Sequence, residues 1–234
     1  MAGRLLIVVA VEAEREALGP ACAGDAAIEV VVAGIGRTNA AAATAQRLAT
    51  AAAQGRPFDA VVSAGIAGAL PVADAPPLGA VVLASECVYA EEGIALPEGF
   101  ADVRALRFPL GDFEGNRVPV DPALRARLAQ ALGARARAGA IATVATCSGT
   151  DALAQEIARR TGAVAEAMEG AAVVHAARRA GVPAAEVRTI SNTTGDRPRQ
   201  RWEIRGAFAA LGEVGAALAS LAASGAAPRP GPRA

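Results

Sequence analysis

Ala167-Met168-Glu169-Gly170-Ala171-Ala172-Val173-Val174, then Gly181-Val182-Pro183, then Arg188-Thr189-Ile190-Ser191-Asn192-Thr193-Thr194-Gly195-Asp196: this stretch decides the fold. Residues 168–180 spell a buried helix with one carboxylate, Glu169, in its first turn. Gly181 ends the helix and Pro183 bars its return. Residues 185–190 read as a strand that delivers Ser191 and Asn192 to its carboxyl end, where open parallel sheets bind their ligands. A glutamate and an asparagine 23 positions apart are thus presented at neighbouring element ends.

Working outward, strands alternate with helices. Residues 5–10 form an apolar run, a strand buried on both faces. An acidic turn, Glu12-Ala13-Glu14-Arg15-Glu16, then opens a short helix that Gly19-Pro20 stops. Further strands are expected at 28–33, 59–64, 79–89 and 139–145. Helices are expected at 38–53, 121–132, 148–161 and 199–223. Asp121-Pro122 is a helix start, with Asp as cap and Pro in the first position. Residues 90–120 carry Pro, Gly and charge with little periodicity, which makes them a loop and the candidate lid over a site. Residues 226–234, rich in Pro and Arg, read as a disordered tail. With no internal repeat and no linker, residues 1–225 are expected to form a single α/β domain. Its architecture would be a three-layer αβα sandwich around a mostly parallel twisted sheet.

Composition narrows the chemistry mostly by what is missing. All 23 basic residues are arginine. Without lysine there is no Walker A phosphate loop and no Schiff base. The one histidine, His175, cannot build a multi-histidine metal site. It lies about 240° round a helix from Glu169, so it reads as a packing or surface residue. Three widely spaced cysteines suggest a reducing cytoplasm and no metal cluster. The formal net charge is zero, with no basic block or aromatic ladder, so nucleic acid is not an expected partner. Apolar runs break well before membrane-spanning length, and no membrane partner is expected. No cofactor is called for, and any catalysis falls to carboxylates, amides, hydroxyls and backbone.

Several constellations stand where a site should be. Gly34-Ile35-Gly36-Arg37-Thr38-Asn39 half-matches the dinucleotide fingerprint, but it follows the second strand and lacks the last glycine. It reads as a tight strand-to-helix turn, leaving a nicotinamide oxidoreductase as a minor alternative. Gly65-Ile66-Ala67-Gly68 follows the third strand as a turn whose backbone could approach a ligand, since glycine interposes no Cβ. Glu14 falls about 200° round a helix from Glu12, so only one of them can enter a pocket. Glu169 amid apolar neighbours needs a partner, because burying an unpaired charge is costly. Any anionic group would have to meet an arginine, and Arg104, Arg107 and Arg117 in the candidate lid are available.

Met168-Glu169 at a helix start, followed by a strand ending Ile190-Ser191-Asn192, resembles the nucleoside phosphorylase and nucleosidase family. That family includes methylthioadenosine/adenosylhomocysteine nucleosidase. The likeness extends along the chain except for residues 90–120 and the tail. It implies a small-molecule purine nucleoside as the partner, a homo-oligomer of two or more copies, and hydrolysis of an N-ribosidic bond. Under it Glu14, preferred to Glu12, activates water. Met168 and Glu169 hold the sugar, Glu169 accepting its hydroxyl protons. Gly65, Ile66, Ala67 and Ser191 line the pocket, and Asn192 favours protonation at purine N7. Two departures stand out: Ala167 replaces a glutamate of the nucleosidases, and Cys147 or Ser148 replaces an aromatic that stacks on the base. The strand ends Ser191-Asn192 where adenine-specific members end Ser-Asp, which points to a 6-oxopurine, hypoxanthine. A phosphorylase and a non-catalytic nucleoside-binding protein are the alternatives. The first would need an arginine-lined phosphate site.

Overall fold

The structure, a computed structural model, describes residues 3–225; the expected tail lies outside them. The chain runs β1 (Leu5–Val9), α1 (Glu12–Ala17), α2 (Pro20–Ala23), β2 (Ile28–Val32), α3 (Arg37–Ala53), β3 (Ala60–Ala69), β4 (Val81–Tyr89), β5 (Gly93–Leu96), β6 (Gly99–Asp102) and β7 (Arg117–Pro119). It continues through α4 (Pro122–Leu132), β8 (Ala136–Thr143), α5 (Asp151–Thr161), β9 (Ala165–Ala167), α6 (Gly170–Arg179), β10 (Ala184–Thr193) and α7 (Ile204–Ala223). β1, a continuous apolar run, is buried at every residue because helices cover both faces of the sheet.

β3 is the spine. Along one flank it pairs in parallel with β10 over nearly its whole length. Its other flank is divided between β1, at Ala60 to Ser63, and β9, at Gly68 and Ala69. β4 joins β10 to β8, and β8 joins β9, so the sheet curls until β9 meets β3. β1 and β2 extend from this ring as a parallel wing. Five of the eight pairings in the sheet are parallel, as expected, and β10–β4, β3–β9 and β4–β7 are antiparallel.

Three apolar clusters pack against the sheet. Val173, Val174 and Ala177 of α6 and Ala40 and Leu48 of α3 fill the first. Leu124 and Leu128 of α4 and Leu211, Val214 and Leu218 of α7 fill the second. Ala154 and Ile157 of α5 join Val88 and Ala142 in the third. This is the three-layer sandwich. α7 is long and apolar enough to cross a membrane by length and composition alone, contrary to the sequence reading. It meets that test because alanine and glycine bridge its leucines, but those leucines are buried in the second core, so it is a core helix.

Several local expectations are corrected. Residues 65–68 are not a turn: β3 continues through them to Ala69, because β10 goes on pairing with it. Ser191 and Asn192 accordingly lie inside β10 rather than beyond it, with a bulge between Ile190 and Asn192. α6 starts at Gly170, leaving Met168 outside the helix and Glu169 as its N-cap. The short helix does stop before Gly19-Pro20, at Ala17, but Pro20 then opens a further helix, α2. The segment 90–120 is not bare loop: β5 and β6 form a hairpin and β7 adds to the edge of β4.

Candidate active site

Glu14 is the third residue of α1, and its side chain folds back over the end of β1. One carboxylate oxygen accepts from the amides of Ala10 (2.8 Å) and Val11 (3.3 Å), and the other from the amide of Ile66 (2.9 Å). The side chain is buried, and backbone amides satisfy both of its oxygens. Glu12 points outward and pairs with Arg15. Gly65 sits directly beneath Glu14: a Cβ there would collide with the Glu14 carboxylate and with Arg188 Nη1.

Glu169 caps α6 from the other side of the ring. Its Oε1 accepts from the amide of Gly36 (2.9 Å), and Oε2 from that of Met168 (3.3 Å). It is buried, as expected, but has a partner inside the protein that sequence reasoning missed: Arg188 Nη2 lies 3.3 Å from Oε2. Arg188 is 1 % exposed and anchored throughout. Nε bonds Glu186 Oε1 at 2.9 Å, Nη2 bonds Ser63 Oγ at 3.1 Å, and Nη1 reaches the carbonyl of Ile66 at 3.4 Å. Burial alone would lower its pKa, but Glu186, Glu169 and Glu14 outweigh burial and hold the guanidinium above its ordinary value. Glu186 is fully buried, and burial pushes its carboxyl up despite Arg188.

Asn192 lies on β10 four residues beyond Arg188, paired in register with Gly68. Its Oδ1 accepts from Ser191 Oγ (2.8 Å) and its amide donates to the carbonyl of Thr193 (3.0 Å). A bridge between Asn192 and Trp202 folds the following loop back along β10, and Arg197 stacks on the Trp202 ring at 4.7 Å. Asp151 and Asp196 each accept the other's backbone amide at 2.9 Å, fastening this loop to the start of α5.

The fold therefore brings Glu14, Gly65, Ile66, Met168 and Glu169 to one place around Arg188, with Ala67, Ser191 and Asn192 following along the same strand pair. Two buried carboxylates with backbone donors, Glu14 and Glu169, and a side-chain amide suit water activation beside a polar sugar. Other polar groups are elsewhere. His175 packs edge-on against Tyr89 and Phe113. Glu166, one position before Ala167, accepts from the Ser148 amide (2.8 Å) and hydroxyl (2.5 Å), and burial raises its pKa. Arg104 and Arg117 face a cavity of about 360 Å³ with Phe100, Asn116 and Arg160, away from Glu14 and Glu169. Both already meet carboxylates: Asp102 and Glu114, and Glu86. Arg107 closes the 3₁₀ turn after β6 in a left-handed conformation.

Residues 10–223 match the Phosphorylase superfamily, and the chain belongs to that family. Among its relatives, the futalosine hydrolase of Streptomyces coelicolor is 40% identical over 194 residues, 82% of this chain and 79% of that protein. The futalosine hydrolase of Thermus thermophilus is 39% identical over 198 residues, 84% and 82% of the two chains. Of solved structures, a futalosine hydrolase mutant of Helicobacter pylori superposes with a TM-score of 0.70 at 20% identity, covering 95% of this chain and 97% of that one. The S-adenosylhomocysteine nucleosidase of Streptococcus pyogenes gives 0.71 at 22%, covering 94% and 98%. At those identities the structures establish the fold.

Proposed function

We propose that the chain is a nucleosidase that hydrolyses the N-ribosidic bond of futalosine, releasing hypoxanthine and dehypoxanthine futalosine on the route to menaquinone. The relatives at 36–40% identity support the substrate. The observation that carries the mechanism is the Glu14–Arg188–Glu169 cluster, in which each carboxylate is buried, hydrogen-bonded and close to one guanidinium. As the bond to the base lengthens, positive charge develops on the sugar and negative charge on the purine. Glu14 takes a proton from the attacking water, which bonds to the anomeric carbon as the base leaves with the bonding pair. Glu169 accepts hydrogen bonds from the sugar hydroxyls, with Met168 against the ring. Asn192 donates its NH₂ to O6 of hypoxanthine, and its carbonyl accepts a hydrogen bond from the N7–H that forms as the departing base takes a proton from solvent. That last contact strengthens as the base departs, so it acts on the rate and not only on binding. Gly65, Ile66, Ala67 and Ser191 supply the wall, where backbone rather than side chain approaches the ligand.

The test is base release from a panel of purine nucleosides, followed by chromatography with and without phosphate. Release of hypoxanthine from futalosine independent of phosphate supports hydrolysis. A requirement for phosphate overturns it in favour of a phosphorylase, and absence of release in favour of a binding protein. We further propose a cytoplasmic homo-oligomer. Cys22, Cys87 and Cys147 are all unpaired, consistent with a reducing compartment. Sedimentation as a monomer at working concentration would remove the oligomer.

A further inference from the structure

Glu186 is the polar group that the mechanism leaves unused. It lies two residues before Arg188 on β10 and therefore faces the same side of the sheet. It is 0 % exposed, and its Oε2 has no hydrogen-bond partner within the 3.5 Å reach of oxygen and nitrogen donors. The thiol of Cys87 on β4 interacts with it: burial first, then Glu186, push the Cys87 thiol up, while the thiol opposes the rise that burial gives the Glu186 carboxyl. α6 makes room for the carboxyl, since any side chain at Gly170 would collide with it. An apolar residue would fill this core position without burying a charge, and buried ion pairs add little net stability over good apolar packing. A glycine on the neighbouring helix and an unpartnered oxygen together indicate that the carboxylate has work beyond packing.

That work is legible in the guanidinium. Glu186 holds Nε and Ser63 holds Nη2, which fixes the plane of the fork. Glu169 then receives only one edge contact, Nη2 at 3.3 Å. Released from Glu186, the fork could turn about its Nε and grip both oxygens of Glu169, the bidentate arrangement that arginine and carboxylate prefer. The guanidinium would then take up acceptor capacity that remains on both oxygens of Glu169, which already serve the amides of Gly36 at Oε1 and Met168 at Oε2. We propose that Glu186 is a positioning residue: its bond to Arg188 Nε restrains the guanidinium and so keeps Glu169 free to accept the hydroxyl protons of the bound sugar. This rests on the role given to Glu169 above.

The experiment compares kcat/KM for a purine riboside and its 2′-deoxy counterpart in wild type, Glu186→Gln, Glu186→Asp and Arg188→Lys. The wild type is expected to prefer the riboside strongly, because a buried acceptor is otherwise left unpaired. Glu186→Gln should reduce that preference by about fivefold or more, while Glu186→Asp, which keeps the charge, retains most of it. Loss of folded enzyme would lower both rates alike and leave the ratio in place. Arg188→Lys keeps the cation but has no Nε–H for Glu186. With no fork to grip both oxygens of Glu169 it should retain the preference, and it decides the matter if Glu186→Gln does not fold. A wild type that treats both sugars alike overturns the role of Glu169, and this inference with it. A discriminating wild type whose ratio survives in Glu186→Gln, or is lost in Arg188→Lys where the former does not fold, overturns the inference about Glu186 alone.

Discussion

Arg188→Met removes the one cation in a nest of carboxyls while keeping much of the side chain's volume. Arg188 Nε lies 2.9 Å from Glu186 and Nη2 lies 3.3 Å from Glu169. Glu14 and Glu169 would keep their backbone donors, but Glu186 would keep only the neighbouring thiol. Breaking a buried pair by removing one partner costs about 3–5 kcal/mol. For a chain of this length each kcal/mol moves Tm by about 2–4 °C, so a fall of about 6–20 °C is expected at neutral pH. The pH dependence gives a sharper test. Burial already raises the folded-state pKa of Glu186, and Arg188 opposes that rise. Without Arg188 it rises further, so the folded state binds a proton that the unfolded state does not. Stability tied to that proton is fully present below the unfolded carboxyl value and is lost as pH climbs through the folded one. The substitution should therefore be less damaging at pH 5 than at pH 8. The assay is thermal or urea unfolding of both proteins at each pH. Equal losses at the two values, or a loss below about 1 kcal/mol, would refute the reading of Arg188 as the counter-ion of a buried cluster.

Glu14→Gln should lower turnover of futalosine by a factor of roughly 100 or more, the scale of a general base, while product still binds; a near-normal rate with Glu12→Gln inactive would move the role to Glu12. Asn192→Asp should reduce or reverse the preference for a 6-oxopurine over its 6-amino counterpart by about tenfold in kcat/KM, because ionised Asp sets lone pairs against O6; an unchanged ratio counts against Asn192 as the base reader. If the proposed mechanism holds, a sugar analogue carrying a cationic nitrogen in the ring should bind at least about 100-fold more tightly than its neutral counterpart, because it carries the charge that the substrate develops only in the transition state; equal affinities by calorimetry would contradict that.

Most of the fold was legible because the strands here are long, apolar and punctuated by glycine and proline. β1 and β4 each appear in the sequence close to their true limits, and so do α3 and α4. What escaped was pairing. β9 has three residues, too few for any period to register, and its place is set by β8 and β3 on either side. β3 looked as if it ended at Gly65 because glycines usually mark turns. Instead they let Glu14 and Arg188 lie against the strand while its ladder with β10 continues. The hairpin of β5 and β6 is half-exposed and pairs only with itself, so it left no burial pattern to read.

The site was legible in part, and the omission has a physical reason. Glu14, Glu169 and Asn192 stand at element ends, where polar residues invite a functional reading. Glu186 and Arg188 sit mid-strand, alternating with Val187 and Thr189, and that period reads as the solvated face of a half-buried strand. A strand covered by helices on both faces has no solvated face, so its charges must be paired inside. The signal was thus the conflict between the alternation and the predicted architecture. Resolved, it explains the electrostatics. Glu14, Glu169 and Glu186 surround one guanidinium, and a cluster with more carboxyls than cations is poor as a stabilising device. A neutral nucleoside does little to relieve it. Under the proposed reaction a ribosyl cation would, and only while the bond to the base is breaking, which would convert an imbalance in the resting protein into attraction for the transition state.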